Sequence, residues 1–407
     1  MATSYYFSRD VKVYAHVPTS SAGTKAMFYE LPVLDGFSFS QATNASEITL
    51  NQAQSTGGVS VRGRQMFNDS YAPAEFSFST YMAPFTSAGG VQGTTGLGAG
   101  ISGGASQDGF HHEVSEALWA MFFDQTVNGA LTADTGNLSI SPANSNKATV
   151  GVFDLYFVFG GSKIAESSGK PASAYADGAQ KIYKIADCSV NEASIDFDLD
   201  GIATVAWSGM GKLIEDYGSL QLSTGAFATT LVTEGVSNTT GFIRNRLSDI
   251  TINPSDTSLS GNSTDYKATL TGGNITMSNN LTYLTPETLG VINQPLGHVT
   301  GTRTIGGNFT CYLDNDDDAS ADLFEDLIAA TTDIQNSVSL SFDIGAGGGI
   351  TAGAPSCLIT MATCHLEVPT HSIDDVISLE TNFHALPSTI AGTNEVSTFE
   401  FYGKDVG

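Results

Sequence analysis

The residues best placed to do chemistry form one acidic segment, Asp314–Glu325, with the sequence DNDDDASADLFE. Its oxygen-bearing side chains follow the spacing 1, 3, 5, 7, 9 and 12 of an EF-hand calcium loop. They are Asp314, Asp316, Asp318, Ser320, Asp322 and Glu325. Position 6 is Ala319 where an EF-hand has glycine, and the preceding GNFTCYL favours a strand over a helix. The segment is therefore interpreted as an acidic turn capping the next helix, with calcium binding as the alternative.

The second candidate is the histidine pair in His111-His112-Glu113. Zinc sites usually need more ligands at helical or CxxC spacing, and HEVSE lacks the second histidine of HExxH. A polar loop or helix start is the preferred interpretation. No GxSxG nucleophile motif occurs, and GTTGLGAGISGG lacks the lysine of a phosphate loop. The sequence thus predicts no catalytic residue, no cofactor, no metal and no enzymatic activity.

Cysteine and charge usage limit the class of protein. The four cysteines lie in strand-like runs and are predicted to be buried thiols in a reducing cytoplasm, with later cross-links between subunits left open. They are Cys188, Cys311, Cys357 and Cys364. The net charge of −26, from 42 acidic and 16 basic residues, disfavours binding to nucleic-acid or membrane phosphates. The opening residues lack a secretory pattern and no apolar run has membrane-spanning length, so we expect use without export through the Sec pathway.

The elements that must position these residues are mostly strands. Apolar and polar residues alternate through FSFS, EFSFSTYM and VSLSFD, which indicates sheets with one packed and one solvated face. Two helices are predicted, near His112–Thr126 and near Ser320–Thr331. The first has an apolar stripe comprising Val114, Leu118, Met121 and Phe122. The fold class is therefore mainly β with one helix per repeat.

The chain contains one unit twice. Over the opening forty residues the offset is constant at 237, pairing Tyr29 with Tyr266 and Gly36 with Gly273. It falls to about 206 where SEALWAMF matches ADLFEDLI, and to 176 where Cys188 matches Cys364. Order is kept while spacing shrinks, so the first copy carries insertions, and repetition of this kind decides the architecture.

The repeat predicts two tandem β-sandwich or barrel domains. The first spans residues 1–218 and the second 239–407, with a linker at 219–238. Two inserts fall in the first domain, the Gly-rich Thr86–Gly109 and Gly160–Asp177. The Gly-rich insert cannot bury enough apolar area for a core and is expected to be a flexible exposed loop.

Two strand-like runs carry rows of acids. In SIDFDLDG, Ile195, Phe197 and Leu199 point to one face, which leaves Asp196 and Asp198 on the other. Glu192 falls on the same side. The run VISLETNFH, taken as the counterpart, places Glu380 with Ser378, Asn382 and His384. A solvated sheet face accounts for such rows, and their repetition suggests a shared surface.

Several of these segments resemble a known family. FNDSYAPAEFSFSTYMAPF, NITMSNNLTYLTPETL, IGGNFTCYLD and HLEVPTHSIDDVISLETNFHALPS look like the tail tube (major tail) protein of long-tailed siphophages, of the duplicated, trimer-forming type. The resemblance runs from about Val11 to Ser388. It implies two tail-tube domains per chain, homotrimeric rings with pseudo-sixfold symmetry, and stacking of rings into a hollow tube that conducts viral DNA. The chain stops at Gly407, where relatives can carry an immunoglobulin-like module, so that module is expected to be absent.

The resemblance also implies partners and a location. The chain would bind copies of itself, and a tape measure protein, a tail terminator and a distal tail protein are implied partners. The location would be the phage virion, after assembly in the host cytoplasm. Viral DNA would pass without specific binding, because an acidic bore repels phosphates. Glu192, Asp196, Asp198 and Glu380 are the residues expected to face the lumen.

Three alternatives stay open. The inner tube of a contractile tail is the closest, because the sequence does not show whether a sheath surrounds the tube. A secreted or surface β-rich adhesin is more remote, and the missing signal peptide disfavours it. A calcium-dependent or hydrolytic enzyme on a β-scaffold lacks a catalytic constellation.

Overall fold

The computed structural model describes residues 6–17, 27–49, 64–86, 111–124, 131–133, 136–142, 150–159, 166–167, 170–171, 181–216, 226–227, 241–254, 265–289, 291–329, 338–345, 355–373, 376–390 and 392–403. Within these residues the chain is dominated by strands, and the predicted mainly-β fold class is confirmed.

The strands of the first part are β1 Val11–Val17, β2 Met27–Leu31, β3 Ser38–Thr49, β4 Arg64–Tyr81, β5 Pro84–Thr86, β6 His111–Glu113, β7 Leu131–Ala133, β8 Leu138–Ile140, β9 Phe153–Phe159, β10 Glu166–Ser167, β11 Lys170–Pro171, β12 Lys181–Asp198, β13 Thr204–Gly211, β14 Ile214–Asp216 and β15 Ala226–Phe227. Those that follow are β16 Asp249–Pro254, β17 Tyr266–Ala268, β18 Leu270–Ser278, β19 Thr282–Leu284, β20 Gly297–Val299, β21 Thr304–Tyr312, β22 Val338–Ile344, β23 Ser356–Leu366, β24 Thr370–Ile373, β25 Ile377–Ala385 and β26 Thr398–Tyr402. The α-helices are α1 Glu116–Phe123 and α2 Ser320–Ala329.

One order of antiparallel pairing occurs twice. In the first series it runs β2–β1–β9–β12–β13–β4–β3. In the second it runs β17–β16–β22–β23–β25–β21–β18. In each series a helix lies along the chain between two of these strands. Helix α1 lies between β4 and β9, and α2 lies between β21 and β22, which hold the same places in the order. The two series are called the first and second halves below.

The halves join through a shared strand pair. The end of β12 pairs antiparallel with β18, from Glu192 opposite Ser278 to Asp198 opposite Gly272. Buried apolar side chains of both halves form one continuous core, in which the rings of Phe197 and Phe342 lie 5.8 Å apart. Of the linker predicted at 219–238, only residues 226–227 are described, so the domain boundaries stay predictions.

Strands whose sequence alternates between apolar and polar residues show the same alternation between buried and partly exposed side chains. Along β13 and β22 every second residue is buried, including Trp207 and Phe342, while the intervening residues are partly exposed. Side chains of a strand project to opposite faces in turn, so a period of two places one set in the core. The local sequence alone therefore accounts for which side chains of these two strands are buried.

The constant offset of 237 fails in one strand. It matches Phe39 with Thr276, yet Phe39 stacks on Phe157 at 4.4 Å while the Thr276 hydroxyl lies on the opposite, polar side near Ser194. A shift of one residue exchanges the two faces of a strand, so the matching residue must lie one place away. The offset does preserve burial between β1 and β16, where Val13 and Ile250 are both buried.

The first helix differs from its prediction. Helix α1 begins at Glu116, not near His112, and all eight of its residues are buried. An amphipathic stripe was predicted, but neighbouring elements cover the whole circumference. Trp119 contacts Trp207 on one side and Phe399 on another, with ring centroids 4.6 and 4.8 Å away. Helix α2 does keep an exposed face, as its Ile328 shows.

Both predicted inserts fall largely outside the described residues. Of Thr86–Gly109 only Thr86, in β5, is described. Of Gly160–Asp177 only the short β10 and β11 are described, and they pair with each other.

Candidate functional site

A continuous polar surface lies on one side of the sheet β3–β4–β13–β12–β18–β21–β25. The core side chains of these strands point to the opposite side, so the residues between them share the exposed side. We call this surface the polar sheet face. Its members include Ser38, Ser40, Glu75, Ser77, Ser79, Glu192, Ser194, Asp196, Asp198, Thr204, Ser208, Asn274, Thr276, Ser278, Asn308, Thr310, Glu380 and Asn382.

The acids of β12 are on this face. Ile195 and Phe197 are buried at 0% and 2% exposure, and Asp196 and Asp198, each of which follows one of them, are exposed. Partial burial and, second, the charge of Asp198 raise the pKa of Asp196. Residues two apart on a strand share a face, so the two carboxylates are neighbours on this face and both are exposed to solvent.

Glu192 is on the same face despite a bulge. The β12–β13 register shifts between Val190 and Glu192, and beyond it Glu192 lies opposite Ser208 on one side and Ser278 on the other. The bulge adds a residue on one strand and resets the alternation. Glu192 is partly buried, in contrast to the exposed aspartates.

Glu380 belongs to the same surface but to a different place in the pairing order. Its strand β25 lies between β21 and β23, as β13 lies between β4 and β12. The run VISLETNFH is thus matched by β13, and the predicted match with SIDFDLDG is wrong. The polar face still includes Glu380, because β21 and β18 connect β25 to β12.

Hydrogen bonds between side chains cross the polar sheet face. Ser194 Oγ lies 3.2 Å from Thr276 Oγ1, and the Asn308 amide donates to Glu380 Oε1 at 3.2 Å. Ser38 and Ser77 are joined at 2.8 Å near the other edge. Cross-strand pairs of this kind stabilise a sheet and fix the positions of its polar groups.

Two residues differ from the sequence interpretation. Leu199 was assigned to the core with Ile195 and Phe197, but it is 43% exposed, because β12 ends at Asp198 and a turn follows. Glu75 was not singled out, yet it is exposed on the polar face opposite Ser40. Its exposure could have been predicted from its position two residues before Ser77, because residues two apart share a strand face.

The surface has an acidic balance. No lysine or arginine occurs in the described strand segments that build it. These segments are residues 38–41, 74–81, 189–198, 204–211, 270–278, 304–312 and 377–385. Its acids are Glu75, Glu192, Asp196, Asp198 and Glu380. A shallow groove between β12, β18 and β21 is lined by Asp196, Asp198, Asn274, Asn308 and Thr310. Such a surface offers hydrogen bonds to water and repels phosphate.

In the acidic turn before α2, carboxylates accept hydrogen bonds from backbone N–H groups of the same turn. Asp314 accepts a hydrogen bond from the Asp316 N–H at 3.1 Å, and Asp322 accepts one from the Asp318 N–H at 2.9 Å. Ser320 Oγ accepts from the Asp314 N–H at 2.8 Å. Among the described residues, no group of three or more His, Cys, Asp or Glu side chains is placed to hold a metal ion. The arrangement is that of a helix-capping turn.

The histidine pair lies in the core, not in a polar loop. His111–Glu113 form β6, which pairs with β5, and all three residues are buried. His112 Nδ1 lies 3.1 Å from Glu116 Oε2, and the Ser115 N–H donates to Glu113 Oε2 at 2.7 Å. Burial raises the pKa of Glu113 to about 8, against the lowering effect of the hydrogen bonds from Ser115. This network fixes the entry into α1.

The four cysteines are buried, unpaired thiols, as predicted. Burial raises the pKa of Cys311 to about 11 and that of Cys364 to about 12, and it places the pKa values of Cys188 and Cys357 well above the usual range. Thiols of this kind are unreactive, because the thiolate is the reactive form.

No helix in the described part of the chain combines the length and the apolar character that crossing a bilayer requires.

Comparison with known proteins identifies a family and a relative. The family model described as phage tail tube protein matches residues 44–385. The tail tube protein pb6 of Escherichia phage T5 is 26% identical over 381 residues, which cover 90% of this chain and 69% of that protein.

Proposed function

Because the chain belongs to the phage tail tube protein family, we propose that three copies form a ring and that stacked rings form the tube through which viral DNA enters the bacterial host. Family membership makes the protein a structural component of the virion that assembles with itself. The number of chains per ring, the pseudo-sixfold symmetry and the passage of DNA are the proposal.

The observation that carries this proposal is the sheet with the polar face and its two free edges. Among the described pairings, β3 pairs only with β4, and β24 pairs only with β25. The strand order is therefore β3–β4–β13–β12–β18–β21–β25–β24, with an edge at each end. An exposed edge presents unpaired backbone groups, which favours pairing with another chain.

The chain also supplies a pattern for that pairing. Inside one chain, β12 of the first half pairs with β18 of the second half over seven residue pairs. In the repeated order, β3 holds the place of β18, and β23 with its continuation β24 holds the place of β12. Pairing of β24 with β3 of the next copy would repeat the internal contact, and three copies would close a ring of six similar units.

The polar sheet face would then line the bore. Its opposite side is the core, so closure of the sheet into a ring leaves this surface facing the lumen or the outside. The described strand segments that build this face lack lysine and arginine, which favours the lumen, because phosphates bind chiefly to such cations. Glu192, Asp196, Asp198 and Glu380, with Glu75, would repel DNA and allow it to slide.

The proposed partners follow from a tube of this kind. A tape measure protein would occupy the lumen during assembly, and a tail terminator and a distal tail protein would bind the two ends. The subunit itself would perform no catalysis. A sheath gene beside this one would assign the tube to a contractile tail.

Electron microscopy of the purified chain tests the proposal. Subunits that polymerise should give hollow tubes whose layers hold three chains each, with sixfold features at low resolution. Layers containing six whole chains, or a failure to form tubes in the presence of the other tail proteins, would refute it.

A further inference from the structure

Two histidines lie side by side where the polar sheet face reaches β25. His384 of β25 alternates with the buried Phe383 and Ala385, so its side chain is on the polar sheet face. His365 of β23 lies directly opposite His384 in the antiparallel β23–β25 pair. Directly opposite residues of two strands project to the same side of a sheet. The polar sheet face therefore continues onto β23, and a pair of imidazoles lies there.

A carboxylate is fixed beside this pair. The Asn382 amide donates to Glu367 Oε2 at 2.8 Å, and the Glu367 N–H donates to the Asn382 carbonyl at 2.9 Å. The other carboxylate oxygen, Oε1, lies 3.5 Å from His384 Nε2. The hydrogen bond from Asn382 and, second, that from His384 lower the pKa of Glu367. Glu367 therefore remains an anion in mild acid, in position to pair with a charged His384.

The strands on either side of the pair bring no other described charge next to it. Strand β21 places Gly306 opposite His384, and the neighbours that share this side of β21 are a threonine and an asparagine. On the far side of β23, the described part of β22 begins at Val338, opposite Cys364, and so ends before it reaches His365. Among the described residues, Glu367 is thus the charged group that acts directly on the two histidines.

The other acids of the polar sheet face are farther away. Glu380 is four residues from His384 along β25, which is about 14 Å. Glu192 and Asp196 are on β12, three strands from β25, which is at least about 14 Å. These separations exceed the Debye length of about 8 Å at physiological salt. The charge of the histidine pair is therefore felt locally, by a ligand that passes over it.

The pair can make this part of the face cationic. Histidine is the side chain whose charge ordinarily changes between about pH 5 and 8. In acid, two imidazolium charges and the one negative charge of Glu367 leave a net charge of about +1, which is lost as the pH rises. The side chains of His384 and Glu367 are 58% and 49% exposed, so a ligand in the solvent can reach them. Imidazolium N–H groups donate charge-assisted hydrogen bonds to phosphate oxygens.

We propose that His365 and His384 form an acid-dependent phosphate-binding site on the polar sheet face, which holds the DNA backbone in mild acid and releases it at neutral pH. Glu367 pairs with His384 and fixes its ring, which leaves the charge of His365 for the phosphate. Rings of three chains would carry three such sites in each layer of the tube. This inference rests on the proposed function, because the polar sheet face must line the bore for the site to meet viral DNA.

DNA ejection at two pH values tests the site. In about 0.1 M salt, wild-type virions should eject DNA at least about threefold more slowly at about pH 5.5 than at about pH 7.5. The double variant His365→Gln/His384→Gln should lose most of this difference and match the wild type at the higher pH, where both imidazoles are neutral. Mild acid also protonates carboxylates, but it does so in wild type and variant alike, so the difference between them reports the histidines.

The matched control is His371→Gln. His371 lies opposite the buried Leu379, and its ring contacts that of Phe324 at 4.6 Å, on the side of the sheet away from the polar face. This variant should slow in acid as the wild type does. His365→Lys supplies a permanent charge and should slow ejection at both pH values.

Two results separate this inference from the proposed function. If three-chain tubes form and eject normally at neutral pH, but the double variant slows in acid as much as the wild type, the histidine site is overturned and the proposed function stands. Closed circular DNA cannot enter the bore and should not sediment with assembled tubes. If it sediments with wild-type tubes at about pH 5.5 and not with the double variant, the polar sheet face is outside the tube and the proposed bore is refuted.

Discussion

The side-chain amide of Asn308 links two strands of the polar sheet by donating to Glu380 Oε1 at 3.2 Å, while the Asn308 N–H donates to Asn274 Oδ1 at 3.2 Å. Asn274 in turn lies opposite Asp196 in the β12–β18 pair. Asp196 of the first half and Glu380 of the second half therefore lie on one surface, separated by the strands that carry Asn274 and Asn308. That surface has a fixed geometry in the single subunit, before any assembly.

Reversal of charge on this surface should affect the passage of DNA more than assembly. Virions carrying Asp196→Lys/Asp198→Lys should form tails of normal length, because both side chains face solvent. DNA ejection should be slower or stall, most strongly at low salt, where screening of the new lysine–phosphate attraction is weakest. Ejection is followed by release of DNA from virions at several salt concentrations.

The matched control for that experiment is Asp316→Lys/Asp317→Lys, which makes the same change in net charge at exposed positions of the acidic turn. It should eject normally. Equal ejection rates for the two double variants at low salt would show that Asp196 and Asp198 do not line the bore.

Gly307 should be intolerant of any side chain. A Cβ at this position would lie 2.0 Å from the Asn274 carbonyl oxygen, inside the β18–β21 pair. Gly307→Ala must therefore separate two central strands of the polar sheet, with an expected loss of about 1–3 kcal/mol. Gly297→Ala, where a Cβ meets nothing within 4 Å, should change the urea midpoint little. Similar midpoints for both variants would contradict this view of the close strand approach.

Stability should fall with rising pH because of Glu113. Its pKa is raised from 4.5 to about 8 in the folded chain, mainly by burial, so the folded chain keeps a proton that the unfolded chain releases. The free energy of unfolding then decreases between about pH 4.5 and about 8 and levels off above. Asp343, with a pKa of about 6 for the same main cause, adds a loss of the same sign at lower pH.

Glu113→Gln isolates this contribution. The variant should gain stability relative to the wild type as pH rises from 5 to about 8.5, measured as urea midpoints across that range. Glu75→Gln, at an exposed site, should run parallel to the wild type. If Glu113→Gln also ran parallel, Glu113 would not be protonated in the folded chain at neutral pH.

The acidic turn should respond to loss of its hydrogen bonds and not to calcium. Asp322→Ala removes the acceptor of the Asp318 N–H and should cost about 1 kcal/mol, whereas Asp317→Ala, exposed in the same turn, should cost little. Chelator or added calcium should leave the melting temperature of the subunit unchanged. A drop of several degrees on chelation, restored by calcium, would establish a metal site here.

The sequence by itself determined the features that depend on local period. Alternation placed Ile195 and Phe197 in the core and Asp196 and Asp198 in solvent, because successive side chains of a strand must point to opposite faces. The sequence also sufficed to predict the order of elements and the family resemblance. The family match over residues 44–385 confirms that resemblance.

The tertiary structure decided what depends on distant partners. Whether β25 corresponds to β12 or to β13 is a matter of which strand pairs with which, and a one-residue error in register exchanges faces, as Phe39 and Thr276 show. The burial of α1 on all sides came from Trp207 and Phe399, which lie far from it in sequence. Contacts of this kind are set by packing across the whole chain, and no local pattern encodes them.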